Sequence, residues 1–400
     1  MAFDVVFLSR FNAFCGVSTY TEQLAAALSH RKVDVGALSS ESDVRGECAA
    51  VPCIVGWSEE GRLKEVLDKL VELEPKVIHI QHEHGIFKHT GSLLRLCRKI
   101  REKTDATIVM TAHTVPKQVR IGDDDFVRLV REMDAVVVHS RPCRDAMVRY
   151  PKIDRSKVRI ISHGMLFPVK LLPREQAAEE VGLNPSPSIF RILSMGFISN
   201  AKRHMAMLQV ASAIVSRDLL APKRLELVIV GKQTLPAQNL AGMLRKAAVS
   251  MGIGKRVRVV DKFVSFNRLP SYYGAADLGI HMVASAHHSA SGSIRTDLSH
   301  GLPVIATRSE MTNDLCKGIL LVGSTDEMMF RIQRLARQPA LLSDMRKQAL
   351  EFAGMHSWST IAMNHIRLYE ELSGQLLFDR GKGVRSALFH TSPWLLGGRP

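Results

Sequence analysis

The residues of this chain that could do chemistry sit where short apolar runs end. In SRFNAFCGVSTYTEQL (9–24), Gly16 lies ahead of a helix that Ser18 or Thr19 can cap, where backbone can approach an anion. In IHIQHEHGIFKH (78–89), His79, His82, His84 and His89 fall within eleven residues. A metal site is one reading of them. However, His79 alternates with Ile78 and Ile80, and no Cys or Asp completes a ligand set, so a polar loop aimed at a ligand fits better. TAHTV (111–115) places His113 at a strand tip beside Thr114, a position suited to ligand contact. SMGFISNAKRH (194–204) turns at Gly196 and ends in Lys202, Arg203 and His204 at a helix start, which suits a diphosphate. SASGS (289–293) offers small side chains and backbone N–H groups directly before a helix at Ile294–His300. That is a phosphate-cradle composition, although neither Walker nor dinucleotide glycine spacing is present.

The elements that must position these residues are legible as alternation. Strand candidates at Asp4–Leu8, Val33–Leu38, Val77–Gln81, Ala106–Thr111, Ala135–His139 and Val158–Ser162 are separated by amphipathic helices such as Thr19–Leu28, Arg62–Leu73, Gly91–Lys103 and Phe126–Met133. The series restarts at Arg191–Gly196 and runs through Leu225–Gly231, Val257–Asp261, Leu278–Met282, Val304–Thr307 and Ile319–Val322. Each series predicts one doubly wound α/β domain with its ligand side at the strands' C-terminal ends. The expected organisation is an N-terminal domain over 1–168, a proline-rich linker over 169–188 with a short helical patch, a second domain over 189–355, and a final segment over 356–400. That last segment contains a terminal helix and a loop-like tail.

In this order the motifs resemble the GT-B glycosyltransferases, in particular the large retaining family 4, over roughly residues 5–372. The resemblance is carried by Cys15-Gly16-Val17, His82-Glu83, Thr111–Thr114, VVVHS (136–140) and Ser162-His163-Gly164. It continues with Gly196…Lys202, LVIVGK (227–232), LPSYYGAAD (269–277), HGLPVIAT (300–307) and HSWSTIAMNHIRLYEEL (356–372). It implies two Rossmann-like domains facing across a cleft, with a nucleotide-sugar donor held mainly by the second domain and an acceptor by the first. The last helix would cross back to the first domain. On this reading Gly16, Val17, Gly196, Lys202, Arg203, Ser291, Gly292, Ser293 and Ile294 bind the donor. His113 and Lys202 are the catalytic candidates, and His82, Glu83, Thr114 and His288 contact sugar or acceptor. No cofactor and no metal are expected. Two departures stand out. The family usually has an Arg where Phe197 stands, and two glutamates where His288 and Thr296 stand; Asp297 is one residue off. Arg203 or Arg295 is the expected replacement cation.

The chain has 400 residues, 46% of them hydrophobic and 23% charged, which excludes wholesale disorder. Its net charge of +15 is uneven: 25 basic and 22 acidic residues lie up to position 168, against 29 and 17 beyond it. No run is long enough for a spanning helix, and MAFDVVFLSR reads as a first strand, with Asp4 inside it, rather than as a signal peptide. Six scattered cysteines fit free thiols in a reducing cytoplasm. The charge points to an anionic acceptor. A surface glycan or lipid-linked carrier could be met at the inner membrane surface, with the basic helix LLRLCRKIREK (93–103) as a peripheral contact. The alternatives are a nucleic acid, as for phage-type transfer to a modified DNA base, and a non-catalytic protein that only binds a nucleotide sugar. For nucleic acid, seven cations between Arg141 and Arg159 and the cluster Lys255-Arg256-x-Arg258 could meet phosphates.

Overall fold

The computed structural model describes residues 3–39, 63–115, 124–150, 152–234, 236–283 and 289–377. They group into two compact units, one comprising 3–164, 289–290 and 356–377, the other 165–283 and 291–355.

The first unit is built from β1 (Val5–Leu8), α1 (Gly16–Ser29), β2 (Val35–Leu38), α2 (Leu63–Leu73), β3 (Val77–His82), α3 (Thr90–Lys103), β4 (Thr107–Ala112), α4 (Asp124–Glu132), β5 (Ala135–Val138), α5 (Arg141–Met147) and β6 (Val158–Ile160). Its six strands are all parallel in the order β2-β1-β3-β4-β5-β6. β1 to β5 are buried along their whole length, which is why they read as continuous apolar runs: helices must cover both faces of a parallel sheet. Val6, Leu8, Ile78, Ile80, Ile108 and Met110 point into one core layer with α2, α3 and α4.

The second unit repeats the plan with α6 (Arg174–Glu180), β7 (Ile189–Met195), α7 (His204–Ser216), β8 (Arg224–Val230), α8 (Leu240–Ser250), β9 (Val257–Val260), α9 (Leu269–Gly274), β10 (Leu278–His281), α10 (Gly292–Ser299), β11 (Val304–Thr307), β12 (Ile319–Val322), α11 (Thr325–Arg337) and α12 (Pro339–Met355). Its parallel order is β12-β11-β10-β7-β8-β9. The last helix, α13 (Trp358–Ser373), belongs to the first unit. There it packs on α1, and Tyr369 bonds His79 on the sheet face opposite Ile78 and Ile80.

Two local features differ from the sequence reading. First, α1 begins at Gly16 rather than Thr19, because Cys15 is the cap: its Sγ accepts the Ser18 N–H at 3.2 Å. The Ser18 hydroxyl instead accepts the Ala13 N–H and donates to Glu22. Second, the stretch 169–188 is not a bare linker. Ala177, Ala178, Val181 and Leu183 are buried against Tyr272 and Tyr273 of α9, and Arg174 pairs with Asp277 at 2.7 Å. Three prolines masked a segment that docks on the second sheet.

Candidate functional site

In the second unit the sequence motifs converge on one point. β7 is followed by Gly196, whose φ of +121° favours glycine, and a Cβ there would lie 3.0 Å from Lys202 Nζ and 3.1 Å from Ser293 Cβ. Lys202 closes a short turn of 3-10 helix, and its Nζ donates to Ser293 Oγ at 2.6 Å. Ser291 caps α10, its Oγ accepting from the Ile294 N–H at 3.4 Å and lying 3.3 Å from Ser293 Oγ. Gly292, Ser293 and Ile294 therefore form the first turn of a helix whose N–H groups and dipole attract anions, with an ammonium alongside. Burial pushes the Lys202 ammonium down to about 8, against the opposing pull of Asp297.

The two candidate replacement cations are not equivalent. Arg203 is exposed, in the left-handed conformation that caps α7. Arg295 is buried and turned away: its guanidinium pairs with Asp314 and reaches the Ser291 carbonyl. This corrects the expectation that Arg295 faces a diphosphate. Thr296 is half-buried and bonds the Gly292 carbonyl through Oγ1. Asp297 points inward, where it accepts from Tyr273 Oη at 2.9 Å and His281 Nε2 at 2.8 Å. His300 stacks on Tyr273 with ring centroids 4.1 Å apart. The sequence reading missed this network. Its one signal was Gly279 in the middle of β10, where a Cβ would sit 2.4 Å from Asp297 Oδ2.

In the first unit, Gly16 opens α1 with clear space where a Cβ would stand, whereas the Val17 side chain packs against the core. His113 follows β4 half-buried; its Nε2 lies 2.9 Å from Gln81 Oε1, and its carbonyl accepts the Ser289 N–H. Thr114 donates to Glu83 at 2.6 Å, so these two candidates hold each other. Tyr20 of α1 sits among the rings of His113, His139, His163 and Trp358 at centroid distances of 4.8–5.2 Å. Behind it, His79 bonds Tyr369 at 2.6 Å and Thr111 at 2.8 Å.

His82 departs from its expected role. It is fully buried, stacked on Phe87 and close to His84 and Phe126, and burial lowers its pKa to about 3. It is a neutral core ring. His288 lies outside the described residues. Helix α3 is likewise not a membrane face. Leu93, Leu94, Leu96 and Ile100 are core residues, while Arg98 and Arg101 pair with Glu132 and Asp134 at 2.9 and 2.8 Å. Among the described residues no helix is long and apolar enough to cross a membrane.

Comparison with known proteins identifies the family and the fold. The model described as Glycosyltransferase Family 4 matches residues 14–165, and that described as Glycosyl transferases group 1 matches residues 189–338. The chain belongs to glycosyltransferase family 4, in the GT-B fold. It is 24% identical over 289 residues to a D-inositol 3-phosphate glycosyltransferase of Saccharomonospora viridis, a match that covers 68% of this chain and 66% of the relative, just under two thirds of its length. HepE of Anabaena, solved with UDP, superposes with a TM-score of 0.74 at 14% identity, covering 94% of this chain and all of that one. A glycosyltransferase of Rickettsia africae gives 0.76 at 15% identity, covering 93% and 98%.

Proposed function

We propose that this protein transfers a sugar, with retention of anomeric configuration, from a nucleoside-diphosphate sugar to an anionic acceptor, and that UDP is the nucleotide. The observation that carries this reading is the meeting of Lys202 Nζ, Ser293 Oγ and Gly196 at the N-terminus of α10. A diphosphate leaving group develops charge as the glycosidic bond breaks, and an ammonium with helix N–H groups stabilises that charge where it forms. UDP is chosen because HepE was solved with it. In this reading the second unit binds the donor through Gly196, Lys202, Arg203, Ser291, Gly292, Ser293 and Ile294. The first unit contributes Gly16 and Val17, and His113 polarises the transferred sugar. Glu83 and Thr114 shape the acceptor side, and no protein nucleophile or metal takes part. The net charge of +15 draws in an anionic glycan or lipid-linked carrier at the cytoplasmic face of a membrane. The contact is made by the general field rather than by α3.

One observation favours a second reading, a nucleotide-sugar binder without turnover: α10 carries the half-buried Thr296 where the family usually has a glutamate, and turns its carboxylate, Asp297, into the interior. A single experiment separates the two. UDP and UDP-glucose are titrated by calorimetry, and UDP-glucose hydrolysis is then followed in the wild type, Lys202→Ala and His113→Ala. Lys202→Ala should weaken UDP about ten- to a hundredfold, the loss of one charge-assisted contact worth ~1.5–3 kcal/mol. His113→Ala should keep UDP affinity and melting temperature but lose most turnover. Titration without any hydrolysis would establish the binder, and unchanged UDP affinity in Lys202→Ala would move the site elsewhere.

A further inference from the structure

Two glycines in the second unit clear the space for a pair of opposite charges. A Cβ at Gly196 would crowd Lys202 Nζ, and one at Gly279 would lie 2.4 Å from Asp297 Oδ2. Ser293 and Asp297 are four residues apart on α10 and so share a face. That face gives Lys202 a hydroxyl at 2.6 Å and, one turn deeper, a fully buried carboxylate. The carboxylate's hydrogen-bond donors bring no formal charge. Tyr273 donates a phenol O–H. His281 donates Nε2–H as a neutral ring, because burial lowers its pKa against the opposing pull of Asp297, with Lys202 adding to the fall, and its Nδ1 meets no partner among the described residues. A buried carboxylate held only by neutral donors needs a cation nearby.

We infer that Asp297 is a positioning residue for the donor: its buried carboxylate is the counter-charge that keeps Lys202 protonated where the diphosphate binds. This rests on the reading that Lys202 holds the diphosphate. From α7, His204 is itself driven down to about 4 by burial and then by Lys202; from β10 comes His281; from α9 Tyr273, whose phenol is pushed up; and from α10 His300, driven down to about 4. None of these supplies a negative charge. Burial alone works to deprotonate Lys202, and Asp297 is the group that opposes it.

The test is the pH dependence of UDP affinity, measured by calorimetry between pH 6 and 9.5. The nucleotide's terminal phosphate titrates as well, so Lys202→Ala provides the baseline for that effect. Above this baseline, wild-type affinity should fall as pH rises through about 8. In Asp297→Asn the fall should come about one pH unit lower, leaving affinity about threefold weaker near pH 7.5, about tenfold weaker near pH 9 and close to wild type near pH 6. Asp297→Ser removes the same charge and serves if the Asn variant does not fold. In a Lys202→Arg background, where the cation cannot deprotonate, Asp297→Asn should change affinity by less than about twofold. A wild-type pH profile in the Asn or Ser variant would overturn the inference, as would a full tenfold loss in the Arg background. A wild type that binds no UDP at any pH would instead overturn the site reading beneath it.

Discussion

Six imidazoles among the described residues, those of His79, His82, His204, His281, His300 and His365, are held neutral, and burial is the largest cause for each. For His82 and His365 the fold lowers the pKa to about 3, and for His204 and His300 to about 4. A histidine freed by unfolding takes up its proton near 6.5, so below that pH the unfolded chain binds more protons than the folded one. The stability these rings contribute is therefore complete above about 6.5 and is lost as pH falls toward 4. Urea denaturation followed at pH 7, 6 and 5 should show a midpoint that drops steadily, and an unchanged midpoint at pH 5 would show that the rings protonate inside the fold. The same residues explain why His82 was hard to place from sequence. A histidine at a strand's end has the same spacing whether it faces ligand or core, and only Phe87 and Phe126, brought in by other elements, decide which.

At the level of elements, two glycines that open or close a helix or strand make opposite demands. A Cβ at Gly231, just after β8, would sit 1.9 Å from the Gly196 carbonyl oxygen, backbone against backbone, with nothing soft to yield. Gly16, at the start of α1, has nothing within 4 Å of that position. Gly231→Ala should therefore lower the melting temperature by several degrees, since overpacking costs about 1–3 kcal/mol, and should weaken UDP along with it. Gly16→Ala should leave the melting temperature unchanged, so any fall in UDP-glucose turnover reads donor approach alone. Equal melting losses in both variants would contradict the distinction. Alternation of apolar runs and amphipathic helices was enough to place all twelve strands of the described residues, because parallel strands buried on both faces leave a continuous apolar signature. The turns at 196–202 and 291–294, which we propose as the phosphate cradle, are local in sequence, so their proximity to a helix start was equally legible. What stayed hidden was pairing across long separations. Arg295 is taken up by Asp314, α6 docks through Ala177 and Ala178 on α9, and Asp297 is claimed by Tyr273 and His281.

On the scale of the whole molecule, the excess of cations lies mainly beyond residue 168, where 29 basic residues face 17 acidic ones. A field of that size outlasts the needs of a single diphosphate and reaches into solvent, where salt screens it within about 10 Å at 0.1 M. Acceptor saturation should therefore weaken steeply between 50 mM and 500 mM salt, with UDP affinity much less affected; flat acceptor kinetics would make the charge a solubility device only. The first unit is also completed from far down the chain: its sheet is written in the first 160 residues, yet the helix that seats Tyr369 on His79 and Trp358 on Tyr20 begins at residue 358. At a ribosome adding about 5–20 residues per second, the N-terminal sheet must wait about 10–40 s with that face unsealed while the whole second unit is made. The last helix thus completes the first unit only after the second has been made, and the partly built sheet is the stage at which a nascent chain would most need a chaperone.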